Sequence, residues 1–196
     1  MEKKQFFSSK NVATLGVLLA LVIVLQAFGG TISFGAVTLN FTLIPIVLGA
    51  IVLGALEGAI LGFACGVVVL IQVIIAPTGF YALIWANDPI VTILTCIVKT
   101  TVAGFVSGVL FQWLKRKKQT VAVFVASGVV PVINTALFIV GCLFMRSVHQ
   151  SADGNVLGYI LVGLVTFNFF FEFAINLLFA PGIHTVYRVV EKRIRK

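Results

Sequence analysis

Five polar side chains stand out because they interrupt otherwise apolar stretches: Lys99, Asn134, Asn168, Glu172 and Asn176. Lys99 follows Pro89 by ten residues, roughly 15 Å along an α-helix. That depth is near the middle of a bilayer, too far from either side for easy snorkelling. A charge there is costly and needs a partner or a wet cavity. Two readings fit: a cation that meets an anionic ligand, and one half of an ion pair with Glu172, similarly deep in its own run. The two are compatible within one site. Asn168, Glu172 and Asn176 are spaced i, i+4, i+8 and so share one helix face. That face should look into a bundle, for interhelical hydrogen bonding or for binding. Asn134, beside Thr135, carries an amide that could read a ligand amide or hydroxyl, or tie two helices together. Tyr81, Trp85, Asn87 and Asp88 cluster just before Pro89. Aromatic groups in such a place are interfacial anchors or the lid of a cavity, which Gln72 could join. His149 and His184 read as structural residues.

The elements that must position these groups follow from composition. Hydrophobic residues make up 60% of the 196 and charged residues 10%, against roughly 25% charged in an ordinary soluble domain. Several runs exceed the ~18 apolar residues of a membrane helix. Backbone in lipid must satisfy its own hydrogen bonds, which leaves helices or a closed barrel. The runs are continuous rather than alternating, which excludes the barrel. The expected fold is therefore an all-α polytopic membrane protein, a compact bundle of six transmembrane helices in a single integral membrane domain. The helices are expected at about 11–28, 41–53, 59–75, 89–114, 120–145 and 156–179. An extended segment is expected at 31–40, a tight turn at 54–58, and loops at 77–88 and 146–155. Pro181-Gly182 should bend the chain before a basic tail. The first run has basic residues ahead of it like a signal peptide, but no cleavage site or soluble domain follows, so it reads as a retained helix.

The charge of +8 belongs to membrane topology rather than to nucleic-acid binding. With six spans, Lys3, Lys4, Lys10, the 115–118 cluster and the tail (Arg188, Lys192, Arg193, Arg195, Lys196) fall on one side. Only Lys99 and Arg146 of the 14 basic residues do not. The positive-inside rule makes that side, with both termini, cytoplasmic. Cys65, Cys96 and Cys142 each lie inside an apolar run and read as inert thiols. No Walker A motif, phosphate loop or metal-spaced His/Cys set occurs. The chain is read as no enzyme, with no cofactor and no metal. If it pumps, another subunit supplies the energy.

Small residues are patterned too. Ala13, Gly16 and Ala20 include a small-xxx-small pair that lets two backbones approach, either within the chain or against a partner. Gly49, Gly54, Gly58, Ala59, Gly62 and Gly66 suggest tight packing of the second and third helices. Glu57, in the turn between them, reads as solvated.

On these residues the sequence resembles the substrate-binding S components of energy-coupling factor (ECF) vitamin transporters. The resemblance spans nearly the whole chain. Its most specific part is the stretch from Phe41 to Ile51 (FTLIPIVLGAI), followed by Gly54 and Gly58-Ala59-Ile60-Leu61-Gly62. The Asn87-Asp88-Pro89 and Asn134-Thr135 segments add to it. It is similar to pantothenate, riboflavin and folate members, although the turn commonly reads Gly-Pro and here reads Gly54-Ala55. The resemblance implies a multi-pass subunit of a bacterial plasma membrane that captures a vitamin from outside. It implies as partners a transmembrane coupling subunit and two ATPases, with Ala13, Gly16 and Ala20 as the docking face. The substrate expected first is pantothenate, a small anion with an amide and hydroxyls. The expected binding residues are Lys99, Asn134, Trp85, Asn168, Glu172, Gln72 and Asn87. Riboflavin and folate are the alternatives within the family. A self-sufficient channel or secondary carrier is the alternative outside it, for which an internal repeat would argue; none is apparent.

Overall fold

The computed structural model of the chain describes residues 9–29, 33–34, 37–38, 41–77, 79–152 and 154–194. Lys3, Lys4, Arg195 and Lys196, used above for topology, lie outside the described residues, as do Gly30 and Thr78. The helices form where the apolar runs predict them, because each run closes its own backbone hydrogen bonds. Helix α1 (Ser9–Gly29) is followed by a two-stranded antiparallel pair, β1 (Ser33–Phe34) and β2 (Val37–Thr38), with Ser33 opposite Thr38. Then come α2 (Leu43–Val52), α3 (Ala55–Ile75), α4 (Gly79–Asn87), α5 (Pro89–Leu114), α6 (Gln119–Leu143) and α7 (Arg146–Ser151). The last run begins as a single turn, α8 (Val156–Gly158), passes through a π-helical segment (Tyr159–Val165) and continues as α9 (Thr166–Ile194).

Among the described residues, five stretches are long and apolar enough to cross a membrane: 11–28, α3, α5, α6 and 156–192. The sixth expected span is the ten-residue helix α2, about 15 Å long against a hydrocarbon core of roughly 30 Å. Seven of its residues are buried, among them Leu43, Ile46, Val47 and Ala50. It is a short apolar helix packed into the core. Gly54, at φ +146°, turns the chain from α2 into α3 through backbone space that only glycine enters without strain. This lets α3 begin at Ala55, four residues before the expected start.

Two segments expected as loops are helices. The 77–88 stretch holds α4, which buries Ile84, and the 146–155 stretch holds α7, which buries Ser147 and Val148. Both are too short to show a helical period, and the polar and turn residues around them masked the signal. The last helix also exceeds its expected end at Phe179 and runs through Pro181 to Ile194. Pro181 lacks the N–H that would bond the Leu177 carbonyl; one turn on, the Thr185 hydroxyl donates to the Pro181 carbonyl at 3.0 Å.

Helices α3 and α5 meet backbone to backbone. A methyl group on Gly58 would stand 2.7 Å from the Gly104 carbonyl oxygen, and one on Gly66 2.6 Å from that of Cys96. Gly62 lies equally hard against the Thr100 carbonyl. On its other side α5 is tied to α6, where the Ser107 hydroxyl donates to the Ala126 carbonyl at 3.0 Å. A main apolar core joins α1, α2, α3, α5, α6 and α9. A second cluster (Ile84, Cys142, Met145, Val148, Ile160, Val165) lies under α4 and α7. Outside these cores the helices present apolar side chains, such as Val17 on α1 and Leu178 on α9, to their surroundings. Such a surface suits lipid, not water.

Candidate functional site

The packing just described fixes Lys99. Gly66 meets the backbone of Cys96 and Ile97, and Gly62 meets that of Thr100 and Thr101. Lys99 therefore sits where α5 is held most firmly by α3. The residue is partly buried and its ammonium lies 5.1 Å from the centroid of the Phe138 ring on α6. An ammonium over an aromatic face is stabilised by the ring quadrupole, by about 2 kcal/mol or more when desolvated. The Tyr81 phenol of α4 stands beside the same ammonium. Glu172 of α9, Cys65 of α3 and Cys96 of α5 are within its electrostatic reach, as is Cys142 of α6. Lys99 is thus the convergence point of five helices.

Aromatic rings build the wall around it. Phe80 contacts Tyr81 and Phe138 edge to face, at 6.4 and 6.0 Å between centroids. Phe169 stacks on Phe173 at 5.7 Å on α9. Asn134, one turn before Phe138, is buried, and its Oδ1 has no hydrogen-bond partner among the described residues. Asn176 is also buried: its Nδ2 donates to the Glu172 carbonyl at 2.8 Å, and its Oδ1 is unpartnered among the described residues. A buried polar atom without a partner costs about 1–3 kcal/mol, so these acceptors are suited to a guest or to water. Asn168 and Glu172 are partly buried on the same stretch of α9, one turn apart.

The remaining expected residues lie further out. Trp85 is partly buried and packs on the main core. Asn87 is exposed and donates its amide to the Leu83 carbonyl of its own helix at 2.8 Å. Gln72 is engaged with Gln26 of α1: Gln26 Nε2 donates to Gln72 Oε1, and Gln72 Nε2 donates to the Gln26 carbonyl, each at 3.0 Å. The structure thus gathers Lys99 with Glu172 and places Asn134 one turn from Phe138, while it sets Gln72 and Asn87 in local bonds. Sequence reasoning missed Gln26 and Phe138, and named Cys65 only as an inert thiol. A lone glutamine in an apolar helix is a signal that could have found Gln26. Nothing in the sequence singles out Phe138 among 18 phenylalanines.

Between α4 and α5, Asp88 caps the short helix α7. Its carboxylate accepts from the Ser147 hydroxyl at 2.5 Å, from the Ser147 N–H at 2.9 Å and from the Arg146 N–H at 3.1 Å. Burial opposes its charge, but the bonds from Ser147 and Arg146 outweigh that and hold the carboxyl below its ordinary value. On α1, Ala13, Gly16 and Ala20 are all exposed, and among the described residues nothing outside the helix comes within 4 Å of a methyl placed on Gly16.

Among the described residues no group of three or more His, Cys, Asp or Glu could hold a metal ion. Two comparisons with known proteins bear on the chain. Over 195 aligned residues it is 28% identical to a pantothenate transporter, PanT, of Leuconostoc mesenteroides subsp. mesenteroides, covering 93% of each chain. The family model of the ECF transporter, substrate-specific component, matches residues 10–184. The chain therefore belongs to the ECF transporter substrate-specific components, a family of membrane transport subunits rather than enzymes.

Proposed function

We propose that this chain captures pantothenate at the outer face of a bacterial plasma membrane and hands it to an ATP-driven coupling module. The observation that carries the reading is the Lys99 ammonium, held inside the bundle against Phe138 and Tyr81. Pantothenate offers a carboxylate for that ammonium through a charge-assisted hydrogen bond. Its hydroxyls and amide N–H are donors that the Oδ1 atoms of Asn134 and Asn168 can accept. Trp85 covers the dimethyl group, and Glu172 shares the lysine with the ligand. The 28% identity to a protein named as a pantothenate transporter supports the same choice. Riboflavin lacks the carboxylate that would justify a buried lysine.

In this reading both termini are cytoplasmic, and the Ala13, Gly16 and Ala20 face of α1 docks on the transmembrane coupling subunit, which carries two ATPases. The exposure of that face and the open space over Gly16 suit such a role. Calorimetry on the purified chain with pantothenate, riboflavin and folate in turn tests the substrate. Saturable binding of pantothenate alone is expected. Tighter binding of either competitor, or no binding of pantothenate, would overturn the assignment. Gly16→Trp should leave that binding unchanged while abolishing copurification with the coupling subunit. Normal copurification would remove α1 from docking.

A further inference from the structure

The four cations of the turn between α5 and α6, Lys115 to Lys118, do not share one environment. The turn closes on the end of α5. The Lys115 N–H donates to the Phe111 carbonyl at 2.9 Å, and the N–H groups of Lys117 and Lys118 donate to the Leu114 carbonyl at 2.9 and 3.3 Å. The Lys115 ammonium lies over the Phe111 ring, 5.7 Å from its centroid. Phe111 is itself buried, edge to face with Tyr187 of α9 at 5.0 Å. Gln119 Nε2 donates to Glu191 Oε2 at 2.8 Å, which fastens α9 to the start of α6. Lys117 and Lys118 instead line a groove of about 320 Å³, together with Leu114 and Val121. Both lysines are exposed, and neither has a carboxylate partner among the described residues.

The groove is cationic on one side and apolar on the other, and each half limits what can occupy it. Two ammoniums suit a phosphate, which they meet through charge-assisted hydrogen bonds. A small soluble anion has no use for the apolar half. Val121 is followed at i+3 and i+4 by Phe124 and Val125, so the three share one face of α6, and all are exposed. An apolar strip therefore leads from the groove along the outer surface of the bundle. Trp113, next to Leu114, is 70% exposed. Tryptophan at the end of a membrane helix sits at the headgroup level. The groove thus stands where headgroups give way to acyl chains, and basic pockets between membrane helices at that level take up anionic headgroups.

We infer that this groove binds one anionic phospholipid, with its phosphate at Lys117 and Lys118 and an acyl chain along Val121, Phe124 and Val125. The site is independent of the vitamin at Lys99. Native mass spectrometry of the full chain in neutral detergent, titrated with phosphatidylglycerol or with phosphatidylcholine of the same chain length, reads the lipid retained. Phosphatidylglycerol should bind at least fivefold more tightly. Lys117→Gln with Lys118→Gln should abolish that preference. Arg116→Gln with Lys192→Gln removes as much charge from the same end of the molecule but outside the groove, and should change the preference less than twofold. Val121→Trp keeps every cation and fills the apolar wall. It should weaken phosphatidylglycerol binding at least fivefold, and it serves if the lysine variant does not fold. Equimolar glycerol phosphate, a headgroup without chains, should not compete. Equal retention of the two lipids, or equal losses in the two charge variants, would reduce the groove to the general attraction of a basic surface and overturn the site. Unchanged affinity in Val121→Trp, or displacement by glycerol phosphate, would make it a site for a soluble anion and overturn the lipid assignment.

Discussion

Helix α5 has two faces that solve opposite problems. Towards α3 it offers backbone: the carbonyls of Cys96 and Thr100 and the flank of Gly104 lie against Gly66, Gly62 and Gly58 with no room for a methyl group. Towards α6 it offers side chains: Lys99 over Phe138, and Ser107 bonded to the Ala126 carbonyl. Within lipid there is no hydrophobic drive to hold helices together, so close packing of small residues must do it. The contrast teaches that the α3 face fixes the height of Lys99, and the α6 face is thereby left free to carry polar groups with unmet capacity. A rigid element supporting a site keeps its geometry better than a loop would.

The sharpest way to break this comparison is to damage the packed face. Gly62→Val places its branched side chain directly on the Thr100 carbonyl. Overpacking typically costs about 1–3 kcal/mol, and the upper end applies because the obstacle is backbone rather than a side chain that can rotate. The expected outcome is loss of most detergent-extractable monodisperse protein in size-exclusion chromatography. A full yield would mean that the two helices can separate without consequence.

The polar face should respond in the reverse manner. Lys99→Ala should lower pantothenate affinity more than tenfold in calorimetry while the melting temperature stays near that of the wild type. Unchanged affinity would assign the lysine to an internal pairing with Glu172. Asn134→Leu should separate the two functions further. It removes a buried acceptor that has no partner among the described residues, so the empty protein should gain about 1 kcal/mol of stability, read as a rise in melting temperature. Pantothenate affinity should fall about fivefold at the same time, because a hydrogen bond to a guest is lost. A fall in both would make Asn134 a structural tie.

Much of this contrast was legible in the chain. The long apolar runs gave α1, α3, α5 and α6 within a few residues, because lipid leaves the backbone no other choice. The glycines of α3 announced a close approach, and Lys99 announced a site by the cost of its depth. Other features were hidden for physical reasons. Helix α2 is apolar but only ten residues long, and its burial depends on neighbours the sequence does not show. Helices α4 and α7 have nine and six residues, too few for a periodic signal. The pairing of Gln26 with Gln72 spans 46 positions and follows from the fold alone.

The smallest expected effect lies at the junction of α4 and α5, where Asp88 joins the end of α4 to α7. Because the folded carboxyl titrates below its ordinary value of 3.8, its stabilising contribution is complete above that value and fades as pH falls through the lower folded one. The three bonds it accepts from Ser147 and Arg146 should therefore hold from neutral pH down to mild acid and weaken only in strong acid. Trp113 is exposed and can be replaced by Phe, leaving Trp85 as the single tryptophan reporter on α4. Its emission should stay constant from neutral pH to mild acid and shift to the red below the ordinary aspartate range. Asp88→Asn in the same background should show part of that shift already at neutral pH and little further change in acid, because the amide keeps an acceptor but loses the charge. An emission profile identical in the two proteins would mean that the cap on α7 does not hold α4 in place.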